Sequence, residues 1–323
     1  MSRPVIVPAG LLLACVALAS FVSNPDRCRA EVLPGPELPL PPRAAGSITG
    51  SEFVRRTCGL SSAERDQAAL AELERGNVPS FLRHMKAVTL TTRSATGQTT
   101  AATIWVTPDY LAIGSDEDFL YAPLNYYSAT TLADDVGSVL PTPRMVDAIY
   151  EQSAHHLTPT PLPAGPLMRS NLYLSEHQQR IDMQRSDLPL GELISGHKKD
   201  LVLSNRLGLF PGRLAIYGWH RGVQEPIQPL STVHGARYVD YSHGTRLVSN
   251  TIVVDGRPRS IYEALQDPSV APLLSREGVT RDPWGLMHPH AGAPDPQQGT
   301  PVAARVAGAP SIRRPHAASV GGK

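Results

Sequence analysis

The chain has 323 residues, of which 41% are hydrophobic and 18% charged, and its formal net charge is +1. That balance suits a globular core and excludes an intrinsically disordered chain, which combines low hydrophobicity with high net charge. It also excludes the basic footprint of a nucleic-acid binder, and the length allows one large domain or two small ones.

Chain order begins with an expected export signal over residues 1–19. Arg3 supplies a positive start, Val5 to Leu18 is mostly apolar, and Ala17-Leu18-Ala19 is a small-x-small cleavage pattern, with Cys28-Arg29-Ala30 as a later one. The apolar run is about 14 residues, whereas a membrane-spanning helix needs roughly 20. No later segment approaches that length, so no transmembrane span is expected after cleavage. Leu12-Leu13-Ala14-Cys15 is close to a lipobox, which leaves lipid attachment at Cys15 as the alternative to a freely secreted or periplasmic protein.

Cleavage after Ala19 leaves Cys28 and Cys58. Outside the cytoplasm they either pair or stay as thiols, with Cys28 in a loose leader. Pairing would stabilise the fold by roughly 3–4 kcal/mol in the chain-entropy picture. No cysteine follows, so a cysteine nucleophile in the main body is not expected.

Residues 20–50 read as a proline-rich linker, with five prolines between Leu33 and Pro42, and order is expected from Ser51. Ser61-Ser62-Ala63-Glu64 fits a capping box and starts a helix of about 13 residues ending at Gly76. Val88 to Thr92, Ala102 to Thr107, Tyr110 to Ile113 and Phe119 to Tyr121 read as strands of a small antiparallel sheet. Asp116-Glu117-Asp118 falls in a turn between them. Two helices follow, Ala129 to Val136 and a second with Thr142 as N-cap and Pro143 at its first position. Its Met145, Val146 and Ile149 share a face.

Leu157 to Pro166 is a proline-rich loop, and Ser175 is a candidate cap for a helix through Arg185. Asp200 to Ser204, Arg213 to Trp219, Ala236 to Tyr241 and Thr245 to Val254 then read as strands. Asp255-Gly256 is a turn signal, and Ser260 opens a short helix through Gln266. From Asp282 the composition predicts a disordered tail. The whole is an α+β fold with an antiparallel β-rich core and several short helices. Its parts are 51–165 and 166–281, which either divide into two domains or share one core.

Candidate chemistry lies between Gly196 and Gly244, where four of the eleven histidines fall: His197, His220, His234 and His243. Each lies close to a glycine or a hydroxyl residue at an expected strand end, a position that holds side chains at a cleft rim. His220, His234, Asp240 and His243 form the expected centre, with His197, Asp200 and Ser242 next in line. A zinc site would take His220, His234 and His243 as ligands, with Asp240 as a base. Without metal, Asp240 would orient His234 or His220, and a serine such as Ser231 or Ser242 would be the nucleophile. The alternative for each histidine is a hydrogen bond to a backbone carbonyl. Trp219, Tyr241 and Ser231 are candidate substrate contacts, and Asn125-Tyr126-Tyr127 either stacks on a sugar or covers the sheet. Lys198-Lys199 reads as a solvated pair.

The combination His197-Lys198-Lys199-Asp200, Ile216-Tyr217-Gly218-Trp219-His220, Gln228-Pro229-Leu230-Ser231 and Asp240-Tyr241-Ser242-His243-Gly244 resembles a group of uncharacterised exported bacterial proteins. The similarity runs back to Trp105 and implies one intact unit, with no activity attached. Lys199 to Leu203 followed by Arg213 to Tyr217 is similar to the paired strands of NlpC/P60-type cell-wall peptidases. There the second strand begins with the catalytic histidine. Here that position is Arg213 and the cysteine nucleophile is missing, so a relation would imply lost or altered chemistry. Ser175-Glu176-His177 looks like the opening of the zinc site of D-Ala-D-Ala carboxypeptidases, but Arg180, Asp182 and Gln184 replace the glycine, alanine and aspartate that continue it.

The expectation for function is an exported hydrolase acting on a cell-envelope or extracellular polymer, peptidoglycan or a glycan. The alternative is a non-catalytic secreted envelope protein that binds a glycan or a protein partner.

Overall fold

The computed structural model describes residues 35–93, 97 and 99–289. The expected signal, Cys15, Cys28 and its pairing with Cys58, and the tail from 290 lie outside the described residues. Cys58 itself is exposed.

The first helices are α1 (Gly50–Arg56) and α2 (Ser62–Glu74). The capping box forms at α2: Ser61 Oγ accepts from the Glu64 amide at 3.2 Å, and the Glu64 carboxylate accepts from the Ser61 amide at 2.8 Å. β1 (Lys86–Arg93) and β2 (Thr99–Val106) pair antiparallel along their length, from Lys86 opposite Val106 to Arg93 opposite Thr99. β3 (Ala112–Gly114) and β4 (Phe119–Tyr121) make a hairpin around the acidic turn. There Asp118 accepts the Ser51 amide at 2.9 Å, so that carboxylate caps α1.

α3 (Tyr126–Asp135) and α4 (Pro143–Gln152) flank β5 (Ser138–Val139), with Asn125 and Thr142 as side-chain N-caps. Thus Asn125 and Tyr126 are buried parts of a helix start, and of that trio Tyr127 keeps partial exposure. After β6 (His155–His156) comes α5 (Asn171–Arg185), which Ser170 caps in place of Ser175. The later elements are β7 (Ile194–Ser195), β8 (Lys199–Leu201), α6 (Arg206–Leu209), β9 (Ile216–His220), β10 (Pro226–Ser231), β11 (His243–Gly244), β12 (Val248–Ser249), β13 (Thr251–Val254), β14 (Arg257–Ser260), α7 (Ile261–Gln266), α8 (Ala271–Leu274) and α9 (Pro283–Met287).

The larger sheet has the order β14-β13-β2-β12-β5, with β1 added to β2, and every pair in it is antiparallel. A second sheet runs β10-β9-β8-β11, antiparallel except for β8 beside β11. The fold is α+β, as the element order predicts. Ile104, Val106, Leu132 and Met145 from the first part pack in one hydrophobic cluster with Leu201, Ile216, Val248 and Ile252 from the second. The two parts therefore share one core.

Four expectations need correction. The linker does not stay loose to Ser51: the Leu38 amide donates to Arg83 O at 2.7 Å, and Leu38 and Ile48 are buried. Prolines remove donors but leave carbonyls and apolar rings free to dock. Ala236 to Tyr241 is not a strand, because the Asp240 carboxylate accepts from the Ser242 amide and hydroxyl at 2.8 and 2.6 Å and bends the chain into a local turn. β10, with Pro226 and Pro229, is absent from the expected strands, yet it is an edge strand, where a missing donor costs little. The expected tail starts too early, since α9 docks with Met287 buried and Tyr126 Oη donating to Leu286 O at 2.6 Å.

Candidate functional site

β8, β9 and β11 carry Asp200, Trp219, His220 and His243, and the turn before β11 carries Asp240, Tyr241 and Ser242. The fold gathers these polar groups, but into three separate clusters rather than one hollow.

The first cluster is fully buried. Asp109 Oδ2 accepts from Tyr121 Oη and Arg185 Nη1, both at 2.7 Å, and Arg185 also bonds Tyr121. His197 Nε2 lies 3.2 Å from Asp109 Oδ1, but neither of its ring nitrogens makes a well-directed hydrogen bond. Beside them Asp200 Oδ2 accepts from Tyr110 Oη at 2.8 Å, and the Arg246 guanidinium lies 4.4 Å from the Tyr110 ring centroid. Burial pushes the Asp200 carboxyl up to about 6, against the opposing pull of Arg246 and the Tyr110 hydrogen bond. Asp109 goes the other way: burial opposes its charge, but His197, Arg185 and Arg246 outweigh it and hold the carboxyl far below its ordinary range. His197 and Asp200 thus sit inside the core, where they join sheets and helix.

The second cluster holds His220. Its Nε2 is 3.0 Å from Asp147 Oδ1 on α4, which also accepts from Tyr217 Oη at 2.8 Å. The His220 ring stacks on Tyr150 with centroids 4.7 Å apart. A carboxylate from a different helix therefore holds His220, not Asp240.

The third cluster opens to solvent. Asp240 and His243 are buried, with Oδ2 and Nε2 3.9 Å apart, and both ring nitrogens of His243 lack a hydrogen-bond partner. Tyr238 Oη donates to Asp240 Oδ2 at 3.0 Å. The half-exposed His234 stacks on the Tyr238 ring at 3.9 Å, and the Tyr238 ring lies 5.7 Å from that of His243. Lys199 Nζ sits 4.9 Å from the Trp219 ring centroid. Burial drives the His243 imidazole down to about 4; Asp240 opposes this, while Lys199, His234 and Lys198 add to it. Burial opposes the Asp240 charge, but His243, Lys199 and the Ser242 hydrogen bonds keep the carboxyl below its usual range. Burial also pushes the Tyr238 phenol well above its ordinary value, reinforced by Asp240. The arrangement pairs a neutral imidazole with an ionised carboxylate, with a tyrosine and a second histidine on the wet side.

Several expected roles change on this geometry. Ser242 is fully buried and its hydroxyl is committed to Asp240, so it serves the turn rather than attacking. Ser231 ends β10, paired opposite Ile216. Tyr241 is buried, and its hydroxyl accepts from the Leu162 amide at 2.7 Å. Trp219 is buried against Leu162 and Tyr241 under the Lys199 ammonium, not an open platform. It follows Gly218 (φ +107°) and itself adopts φ +56°, a strained backbone of the kind found at functional sites. Lys198 is not solvated: it is buried, donates to Tyr241 O at 2.7 Å, and lies 3.2 Å from His177 Nδ1. Strand alternation across Lys198-Lys199 is the signal that separates the buried lysine from the half-exposed one.

The ligand set His220, His234 and His243 does not converge. His220 belongs to the Asp147 cluster, and among the described residues no group of three or more His, Cys, Asp or Glu is placed to hold a metal. Sequence reasoning missed Asp109, Asp147, Arg185 and Tyr238; the first two lie far away in the chain, and Arg185 ends the helix before the block. Tyr238 stands two residues before Asp240 and four after His234, a spacing that could have revealed it. No protein-family model, no curated protein and no solved structure matches this chain.

Proposed function

We propose that this chain is an exported hydrolase acting on a cell-envelope or extracellular polymer, peptidoglycan or a glycan, with His243 as base and Asp240 as its partner. One observation carries the reading: His243 is buried beside a carboxylate with neither ring nitrogen bonded, and unlike His197, in the same state deep in the core, it adjoins the half-exposed Tyr238–His234 pair. An orphaned buried polar atom costs about 1–3 kcal/mol, so native structures keep few of them without a use. His234 and Tyr238 supply the solvent side. The reading of export rests on Arg3, the apolar run Val5 to Leu18 and Ala17-Leu18-Ala19.

Above about pH 4 His243 is neutral and can accept a proton. It takes one from a water whose oxygen adds to the electrophilic carbon of the polymer. The bond to the leaving group breaks, the proton passes from His243 to that group, and the imidazole returns neutral. Ionised Asp240 stabilises the transient imidazolium.

Purified protein is incubated with peptidoglycan or a glycan, and released amines or reducing ends are counted. His243→Gln should lower the rate by about 10²–10⁴-fold, the usual worth of general acid–base catalysis, with little change in melting temperature. The rate of the parent should fall on an acid limb near pH 4. A His243→Gln protein that stays folded and hydrolyses like the parent ends the proposal. A second reading, a non-catalytic envelope protein, draws support from a pocket of about 290 Å³ lined in part by Tyr127, Arg213 and Leu286. Polymer binding without release of any product would favour it.

A further inference from the structure

We infer that the Asp240–His243 centre takes a substrate that presents a carboxylate, and that Lys199 is the residue that grips it. The inference deepens the proposed function and rests on its placement of the centre.

Three cations stand at the solvent side of this centre, Lys199 by Asp240 itself and the other two by Tyr238 and His234. Lys199 lies over Trp219, Arg169 over Tyr238 with its guanidinium carbon 5.6 Å from the ring centroid, and Arg213 bonds Val233 O next to His234. Among the described residues none of the three has a carboxylate within 4.0 Å. For Lys199 the compensating charge is Asp240, whose oxygens are already taken by Tyr238 and Ser242. Lys199 stands apart from the other two. It is half-exposed rather than waving in solvent, its stem is fixed in β8, and the Trp219 face holds its head group in place. Arg169 is exposed and Arg213 half-exposed, so they add attraction at longer range.

A cation excess around a recessed acid–base pair favours an anionic group on the substrate, and it disfavours a neutral one that would leave Lys199 without a partner. A carboxylate matches the single fixed ammonium. A phosphate would call for the forked guanidinium contacts that Arg169 and Arg213, turned to Tyr238 and Val233 O, do not present here.

Binding, measured by calorimetry on the full chain without turnover, tests this. The probes are N-acetylmuramic acid, its methyl ester and glycerol phosphate. The acid should bind at least tenfold more tightly than the ester. Lys199→Gln should erase that preference, and Lys199→Arg should keep most of it; melting curves of both variants show that they are folded. Equal binding of acid and ester, binding of neither, or tighter binding of glycerol phosphate overturns the assignment. The two ideas fail separately. Preference for the acid with no hydrolysis of any polymer sinks the hydrolase and spares Lys199, whereas hydrolysis without the preference does the reverse.

Discussion

Asp200 shows how depth decides what a residue does. It is a carboxyl inside the core, bonded to the Tyr110 hydroxyl and pushed up to about 6 by burial. In the unfolded chain it ionises near pH 4. Between those values the folded state holds one more proton than the unfolded state, so stability falls as pH rises from about 4 to about 6 and then levels. Asp200→Asn keeps an acceptor for Tyr110 and removes the charge. Its melting temperature relative to the parent should therefore be clearly more favourable at pH 8 than at pH 4, and melts at the two values check this. Asp109 has the opposite sign: its carboxyl is held low, so it stabilises at neutral pH and loses that contribution in acid.

Local chemistry at element ends was legible in the chain itself. Thr142 caps α4, with its Oγ1 accepting from the Met145 amide at 3.3 Å, and the same hydroxyl donates to Leu274 O on α8. Thr142→Ala removes both bonds and leaves buried groups unpaired. It should cost about 1–3 kcal/mol, read from urea unfolding, and Thr142→Ser should recover most of it. Asp255-Gly256 likewise predicts the β13–β14 hairpin, and both residues adopt positive φ, 46° and 79°, as a two-residue turn demands. Such signals act over three or four residues, so propensity and hydrogen bonding reveal them. β10 was missed because its prolines argue against a strand unless one knows that it lies at a sheet edge. The segment Ala236 to Tyr241 was misread because apolar alternation there comes from core contacts on either side of a turn.

For the molecule as a whole, the docked stretch from Gly35 to Thr49 is the largest departure from expectation. Leu38 and Ile48 insert into the common core, and Arg43 Nε donates to Asn77 Oδ1 at 2.9 Å. Burying an aliphatic side chain contributes about 1.5–3 kcal/mol, so a chain that begins at Ser51 should lose roughly 3–6 kcal/mol. A shift of the urea midpoint with little loss of secondary structure would report it. An unchanged midpoint would mean that this stretch only lies on the surface.

From the chain alone came the α+β class, the capped helices, the hairpin turn, and the histidine-rich block as the place to look for chemistry. All of these rest on neighbours in sequence or on periodicity. Which imidazole meets which carboxylate was decided by tertiary contact: Asp109 claims His197 and Asp147 claims His220, which leaves Asp240 beside His243, three residues on, rather than orienting His220. Those pairings close loops of up to some ninety residues. Electrostatic partnership depends on distance in space and on burial, and neither quantity exists until the sheets have packed.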